Sequence, residues 1–221
     1  MERDPSQIPA GDRTRKARQR RRDWTRERII TTAARLLQAT GYEGLTVEAL
    51  SEATGVSRTT FYKYFEDKTA LLRAMIASVA TRVEAAIVPI RGIPQREDAS
   101  EQVVANMQRV VDVFESSLPL FRLLFGGGRW TAGLEQEAVE ALEQRMVSVI
   151  RTALEQGIRA GLVRPLDLEV SALTIWGSFV KAILQPLARG TLGAAEARRR
   201  IPILVDYHIG GLLCTPAPDG H

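Results

Sequence analysis

The side chains with the most chemistry to offer stand in one short stretch, Thr54 to Lys68, TGVSRTTFYKYFEDK. Arg58, Lys63 and Lys68 supply cations, while Ser57, Thr59, Thr60, Tyr62 and Tyr64 supply hydroxyls. On a helix advancing about 100° per residue, Phe61 and Phe65 share one face and Thr59, Thr60 and Lys63 lie opposite. Tyr62 and Tyr64 then flank the phenylalanine stripe, at about 80° on either side. Hydroxyls and cations so disposed suit a groove in a polyanion: outward residues reach its floor, and the flanking hydroxyls reach its phosphate walls. Arg58, at the helix start, can extend to a guanine edge or to a phosphate. Lys68 opens the next helix, where a cation opposes the positive end of the helix dipole and an arriving phosphate relieves the mismatch. A solvated surface lysine is the alternative reading.

These residues need a frame, and the frame is helical. No strand-like alternation and no internal repeat occurs in the 221 residues. Residues 25–40 place Ile29, Ile30, Ala33, Leu36 and Leu37 on one face, with Thr25 as expected N-cap and Gly41 as stop. Thr46 caps a short second helix that turns Val47 and Leu50 inward and carries Glu48 in its first turn. Gly55-Val56-Ser57 forms a tight turn, and Ser57 caps a third helix expected over 58–65. Beyond Thr69 the elements lengthen. One apolar helix runs from Leu72 to its break at Pro89, and a loop-like stretch spans 92–100. Helices follow at about 100–116 and in LPLFRLLF, then a joint at 126–128 and a long helix over about 133–160. Two long apolar helices close the chain at about 168–188 and 194–214.

The expected fold is therefore all-α, with about nine helices. Its expected parts are a basic and flexible N-terminal arm over 1–22, a three-helix unit over 23–68, a larger helical bundle over 69–214 and a tail over 215–221. The helix over 168–188 carries two apolar stripes. Val170, Leu173, Gly177, Val180 and Leu184 make one; Leu168, Ala172, Ile175, Phe179 and Ala182 or Ile183 make the other. Two stripes need cover on two sides, one from the parent core and one from a partner. The last helix is similarly apolar, and Gly210-Gly211 permits close approach of another helix.

Charge is unevenly placed. Of the net +4, all resides in residues 1–70, and Arg13 to Arg22 holds seven basic residues and no acid. That block, with Arg18, Arg20, Arg21 and Arg22 nearest the first helix, reads either as a solvated tail or as an arm along phosphates or in a minor groove. Cys214 is the single cysteine, which excludes an internal disulfide framework and suits a reducing cytoplasm. The start has no apolar run of the signal-peptide kind, and Pro, Gly and charges interrupt each apolar segment, so a cytoplasmic, soluble protein outside the membrane is expected. His208 and His221 are the only histidines, and no nucleophile elbow, phosphate loop or dinucleotide fingerprint is present. Neither catalysis, nor a metal, nor a cofactor is expected; His208 beside Tyr207 reads as a hydrogen-bonded interface residue.

Residues 29–72, IITTAARLLQATGYEGLTVEALSEATGVSRTTFYKYFEDKTALL, resemble the DNA-binding domain of TetR-family transcriptional regulators. The features that match are the apolar first helix, GY, the capping Thr before a short helix, GVS, FYKYF and a K-x-x-LL helix start. The resemblance implies a helix-turn-helix made of the second and third helices, with the third in the major groove. By position it implies that Thr46, Tyr62, Tyr64 and Lys68 contact phosphates, and that Arg58, Thr59 and Thr60 approach base edges with Ser57 at the helix start. Thr59 departs from the glycine or alanine frequent there, which leaves operator sequence open. A single helix-turn-helix reads too few bases, so a homodimer is expected, and the resemblance places its interface on the final two long helices. It also implies a small-molecule effector bound in the rear bundle. The candidates to line that site are Met107, Phe114, Phe121, Phe125, Trp130, Trp176 and Phe179, for which plain core packing is the alternative. The expected function is a regulator of transcription, a repressor released from a double-stranded operator by its effector. The alternative is a helical interaction protein that binds nucleic acid without sequence preference through the basic arm.

Overall fold

The computed structural model of the protein describes residues 10–88, 96–125 and 134–212, and among them it contains nine helices and no strand. We number them α1 (Ala10–Gly44), α2 (Val47–Thr54), α3 (Arg58–Phe61), α4 (Lys68–Ala86), α5 (Arg96–Ser116), α6 (Leu118–Phe125), α7 (Leu134–Arg159), α8 (Leu168–Ala188) and α9 (Ala194–Leu212). The chain divides into two compact units, Met1–Ala74 and Met75–His221. The boundary falls inside α4 rather than at residue 68, because the apolar start of that helix, Leu71 and Leu72, is buried with the first unit's core.

In the first unit α1 is longer than its apolar spacing predicts. Residues 10–22 are its opening turns, where a flexible arm was expected, and Thr25 lies inside the helix instead of capping it. Arg, Lys, Gln and Ala are good helix formers, and no Gly or Pro interrupts 12–40, so nothing stops the helix from growing toward the N-terminus. The Thr25 hydroxyl donates back to the Arg21 carbonyl at 2.9 Å, and Gln19 donates to Asp23 at 2.8 Å. Residues 14–24 are exposed throughout. Burial starts at Ile29, Ile30, Ala33 and Leu37. Gly41 breaks the helix with φ 68°, a conformation that glycine adopts without steric cost.

Local chemistry then builds the next two helices. The Thr46 hydroxyl accepts from the Ala49 amide at 3.1 Å and starts α2. Gly55 ends it with φ 67° and donates its amide to the Ser51 carbonyl. Ser57 caps α3, which is one turn long and not the eight residues expected. Past Phe61 the ladder tightens: the Lys63 amide donates to Thr60 at 3.1 Å and the Tyr64 amide to Phe61 at 2.9 Å, both three residues back. The Asp67 carboxylate accepts from the Ala70 amide at 2.7 Å and so starts α4 at Lys68, leaving α3 no room to continue. Phe61, Phe65, Leu45 and Leu50 close the small core, with Val47 half-buried.

The second unit packs α9 against α5 and α8, α7 against α8, and α6 against the last turn of α8. Helix α5 begins at Arg96, inside the stretch read as loop. The joint at 126–128, Trp130, Cys214 and the tail lie outside the described residues. By length and composition α8 is apolar enough to cross a membrane, against the expectation that every such segment is interrupted. Within α8, residues Val180–Leu184 form a π-turn. The extra residue rotates the last turn of α8 relative to its start. Consequently the first apolar stripe splits: Val170 and Leu173 are exposed, whereas Leu184 is fully buried. The second stripe holds, with Ala172, Phe179 and Ile183 buried. Arg200 of α9 donates to the Ala182 carbonyl inside the π-turn at 3.2 Å. Arg145 of α7 clasps the Glu84 carboxylate of α4 with two bonds, at 2.6 and 2.8 Å.

Candidate nucleic-acid interface

The turn between α2 and α3 has one apolar and one polar side. Phe61 and Phe65 are 2% and 3% exposed, their ring centroids 5.7 Å apart. Thr59 and Lys63 are exposed, Tyr62 is exposed at 56%, and Thr60 and Tyr64 are half-buried. The helical-wheel order is kept for Phe61, Phe65, Thr59 and Lys63, while Thr60, expected to face outward, is half-buried against Ser57, and Tyr62, expected on a flank, is exposed. Tyr62 sets its ring edge-on to Phe61 at 5.4 Å, which aims the phenol away from the core.

Several of the polar groups are held in place by local bonds. The Ser57 hydroxyl accepts from the Thr60 amide at 3.2 Å and lies 2.9 Å from the Thr60 hydroxyl. Thr46 uses a lone pair in its cap, not its hydroxyl proton, and its side chain is exposed. Arg58 is paired: its Nη2 lies 2.7 Å from Oε1 of Glu48. Arg28 of α1 donates to the Thr54 carbonyl at the end of α2 and sits over the Trp24 ring at 5.2 Å. Arg26 covers Phe65 at 5.5 Å.

Lys68 is placed differently from a solvated lysine. Its ammonium donates to the Tyr42 carbonyl at 2.6 Å and lies 3.4 Å from the centre of the Tyr42 ring. Desolvation pulls the Lys68 pKa below the usual lysine value, and burial pushes the Tyr42 phenol up, with Glu43 and Asp67 adding to it. The dipole mismatch expected at Lys68 is thus offset in part within the chain. Tyr42, Arg28 and Glu48 are the residues that sequence spacing did not single out as partners. The GY dipeptide was the one available signal for Tyr42; the other two sit at ordinary helical positions.

Arg18, Arg20, Arg21 and Arg22 all project from the exposed part of α1. As a helix about 10–12 Å across, this segment cannot enter a minor groove about 6 Å wide in the way an extended arm can. Its cations can reach phosphates along the duplex surface.

In the second unit five of the seven residues expected to line an effector site pack together. Phe114 meets Phe121 edge-on at 4.8 Å and Phe179 at 5.6 Å; Phe121 stacks on Phe125 at 6.2 Å, and Trp176 on Phe179 at 6.1 Å. All five are at most 9% exposed, while Met107 is half-buried. Asn106 of α5 bonds both backbone groups of Val88, donating to the carbonyl at 3.0 Å and accepting from the amide at 2.9 Å. His208 lies 2.7 Å from the Ser178 hydroxyl, and burial lowers its pKa. Among the described residues no group of His, Cys, Asp and Glu is arranged to hold a metal ion.

Residues 29–75 match the model of the bacterial regulatory proteins of the tetR family. The helix-turn-helix transcriptional regulator YdeS of Bacillus subtilis is 28% identical over 165 residues, covering 74% of this chain and 80% of its own. The regulator EthR of Mycolicibacterium smegmatis is 27% identical, over 65% of this chain and 67% of its own. The class C tetracycline repressor of Escherichia coli is 43% identical over 56 residues, 25% of this chain and 26% of its own. A TetR regulator structure from Chloroflexus aurantiacus, 25% identical, covers 89% of this chain and all of its own with TM-score 0.59. One from Mesorhizobium loti superposes with TM-score 0.66 over 87% of this chain and 98% of its own at 19% identity, a likeness of fold. Helix order, the capped α2–turn–α3 unit and these likenesses agree: residues 29–75 match the DNA-binding domain of the tetR family, and the chain as a whole is similar to helix-turn-helix transcriptional regulators of that family.

Proposed function

We propose that the protein is a homodimeric repressor that reads a palindromic operator with α3 and leaves it when a small molecule binds the second unit. The observation that carries this reading is the two-sidedness of α3 and the turns that follow it. Phe61 and Phe65 are buried behind it, and Thr59, Tyr62 and Lys63 are exposed in front. In this reading Arg58, Thr59 and Thr60 approach base edges, Lys63 faces the groove floor beside them, Ser57 sets the helix start, and Thr46, Tyr62, Tyr64 and Lys68 hold phosphates. Lys68 keeps two N–H donors beyond the one given to Tyr42. No reaction is assigned to the protein, and a DNA-bound role places it in the cytoplasm.

Dimerisation is supported by exposed apolar residues on two helices. Val170 and Leu173 on α8 and Ile203 and Tyr207 on α9 are 61%, 44%, 71% and 77% exposed. A Cβ at Gly177 or Gly210 meets nothing within 4 Å, so this chain's own packing does not require glycine there. A second copy seated on α8 and α9 covers the apolar side chains and uses the space. The aromatic cluster around Phe114 is the proposed effector region.

Selection of bound fragments from random duplex DNA tests the reading. An enriched palindrome is expected. Binding without any enriched sequence favours the alternative, in which the exposed basic turns of α1 hold nucleic acid non-specifically. Removing residues 1–22 is expected to weaken binding and to flatten its salt dependence, by about 0.9 in log–log slope for each phosphate no longer neutralised. An unaltered slope takes those turns out of the interface. Tyr62→Phe and Lys68→Ala are expected to weaken binding to all sequences alike, and Arg58→Ala to change which operator is preferred.

A further inference from the structure

Arg58 does not stand alone at the start of α3. Its guanidinium is 2.7 Å from the Glu48 carboxylate, in the first turn of α2, and the two side chains are 63% and 56% exposed. An acid here opposes the approach of a polyanion. An ion pair this exposed contributes little to stability. The start of α2 is already capped by Thr46. What the pair does is restrict the arginine. A guanidinium is a planar fork, and bidentate recognition of guanine O6 and N7 requires that plane to be aligned with the base edge. An unrestrained arginine samples many rotamers, including those that fall on the phosphates.

We infer that Glu48 is a positioning residue for sequence readout: it holds one edge of the Arg58 guanidinium and turns the other edge toward a base, and so decides which base pair α3 reads at that step. The inference rests on the DNA-binding reading of α3. It also makes the acid's cost purposeful, since the same carboxylate keeps Arg58 from spending its charge on any phosphate within reach.

The test uses the full chain. The wild-type protein first selects its operator from random duplex DNA. Base preference at every operator position is then measured for Glu48→Ala, Glu48→Gln, Arg58→Ala and the Glu48→Ala/Arg58→Ala double variant. Glu48→Ala is expected to cut the preference at one step of each half-site by about two- to fivefold and to leave the other steps unchanged. It should also tighten binding to unrelated duplex and steepen the salt dependence by roughly one phosphate contact, as the released Arg58 moves to the backbone. Glu48→Gln, whose amide oxygen accepts from the same N–H, should recover part of the preference. In the Arg58→Ala background, Glu48→Ala should change nothing further. Thermal unfolding of each variant checks that the first unit still folds.

Unchanged preference in Glu48→Ala overturns the inference. So does a change that persists without Arg58, because Glu48 would then read a base itself or act through the fold. A wild-type protein that enriches no sequence removes the DNA reading and this inference together. An enriched wild-type operator with an inert Glu48 removes this inference alone.

Discussion

The two units place aromatic and apolar residues in opposite ways. In the first, Phe61 and Phe65 are inside, and the rings left in solvent are Tyr62 at the end of α3, which carries a hydroxyl, and Trp24 of α1. In the second, five aromatic rings without a hydroxyl among them interlock inside, and Val170, Leu173 and Ile203 remain outside. Around α3 the first unit thus shows solvent hydroxyls and cations, and on α8 and α9 the second shows hydrocarbon together with the Tyr207 ring. A surface of the first kind gains by meeting phosphate, and one of the second kind gains by meeting its own likeness. On the proposed reading, the partner of each unit covers what that unit leaves exposed.

The largest expected effect breaks that contrast at its interior. Phe121→Ala removes a fully buried ring that touches Phe114 and Phe125. It should cost about 3–5 kcal/mol in urea unfolding. Phe61→Ala should cost a similar amount within the first unit and abolish DNA binding, whereas Tyr62→Phe should leave stability within about 0.5 kcal/mol. Equal losses for Phe61→Ala and Tyr62→Phe would erase the two-sidedness of α3.

Next come the exposed apolar residues. Tyr207→Glu combined with Val170→Glu should weaken self-association by more than about 100-fold in sedimentation, since each apolar side chain is worth about 1.5–3 kcal/mol when buried and is lost from both subunits. Unaltered association would move the dimer contact away from α8 and α9. Replacing Lys68 with Met removes a charged hydrogen bond and the contact with the Tyr42 ring. It should lower the first unit's stability by about 1–2 kcal/mol, separately from any loss of DNA affinity.

The smallest effects depend on pH. Burial holds His208 below its ordinary value of 6.5. Between its folded value and 6.5 the unfolded chain binds more protons at this site than the folded protein does. This contribution is therefore complete above about pH 6.5 and declines as pH falls below it. His208→Gln should remove that part of the slope in thermal unfolding. The Arg145 guanidinium lowers the Glu84 pKa through its hydrogen bonds. The sign here places stability above the usual carboxylate range and loses it as pH falls through the folded value. Being about a third exposed, the pair is screened, so Glu84→Gln should cost no more than about 0.5 kcal/mol at neutral pH.

Much of the first unit is legible residue by residue. Thr46 and Ser57 cap where their types predict, Gly55 turns where a positive φ is needed, and the four-residue spacing of Phe61 and Phe65 orients everything between them. The start of α1 escapes such reading because a charge run without apolar residues offers no burial signal. Its helicity comes from backbone propensity and local side-chain bonds such as that of Gln19 to Asp23. The split stripe of α8 is illegible for another reason. A π-turn adds one residue to the ladder, and no pattern in Val180–Leu184 announces it. The seven effector candidates stand out by residue type alone, and five of them do meet in one cluster.

By itself, the sequence determined the features that depend on neighbours within about four positions: caps, turns, helical faces and the excess of cations ahead of residue 70. Tertiary structure alone decided that Glu48 holds Arg58, that Lys68 rests on Tyr42, and that Phe114 meets Phe179. Each of these joins residues 10 to 65 positions apart, where the outcome depends on how whole helices pack and no local propensity reaches.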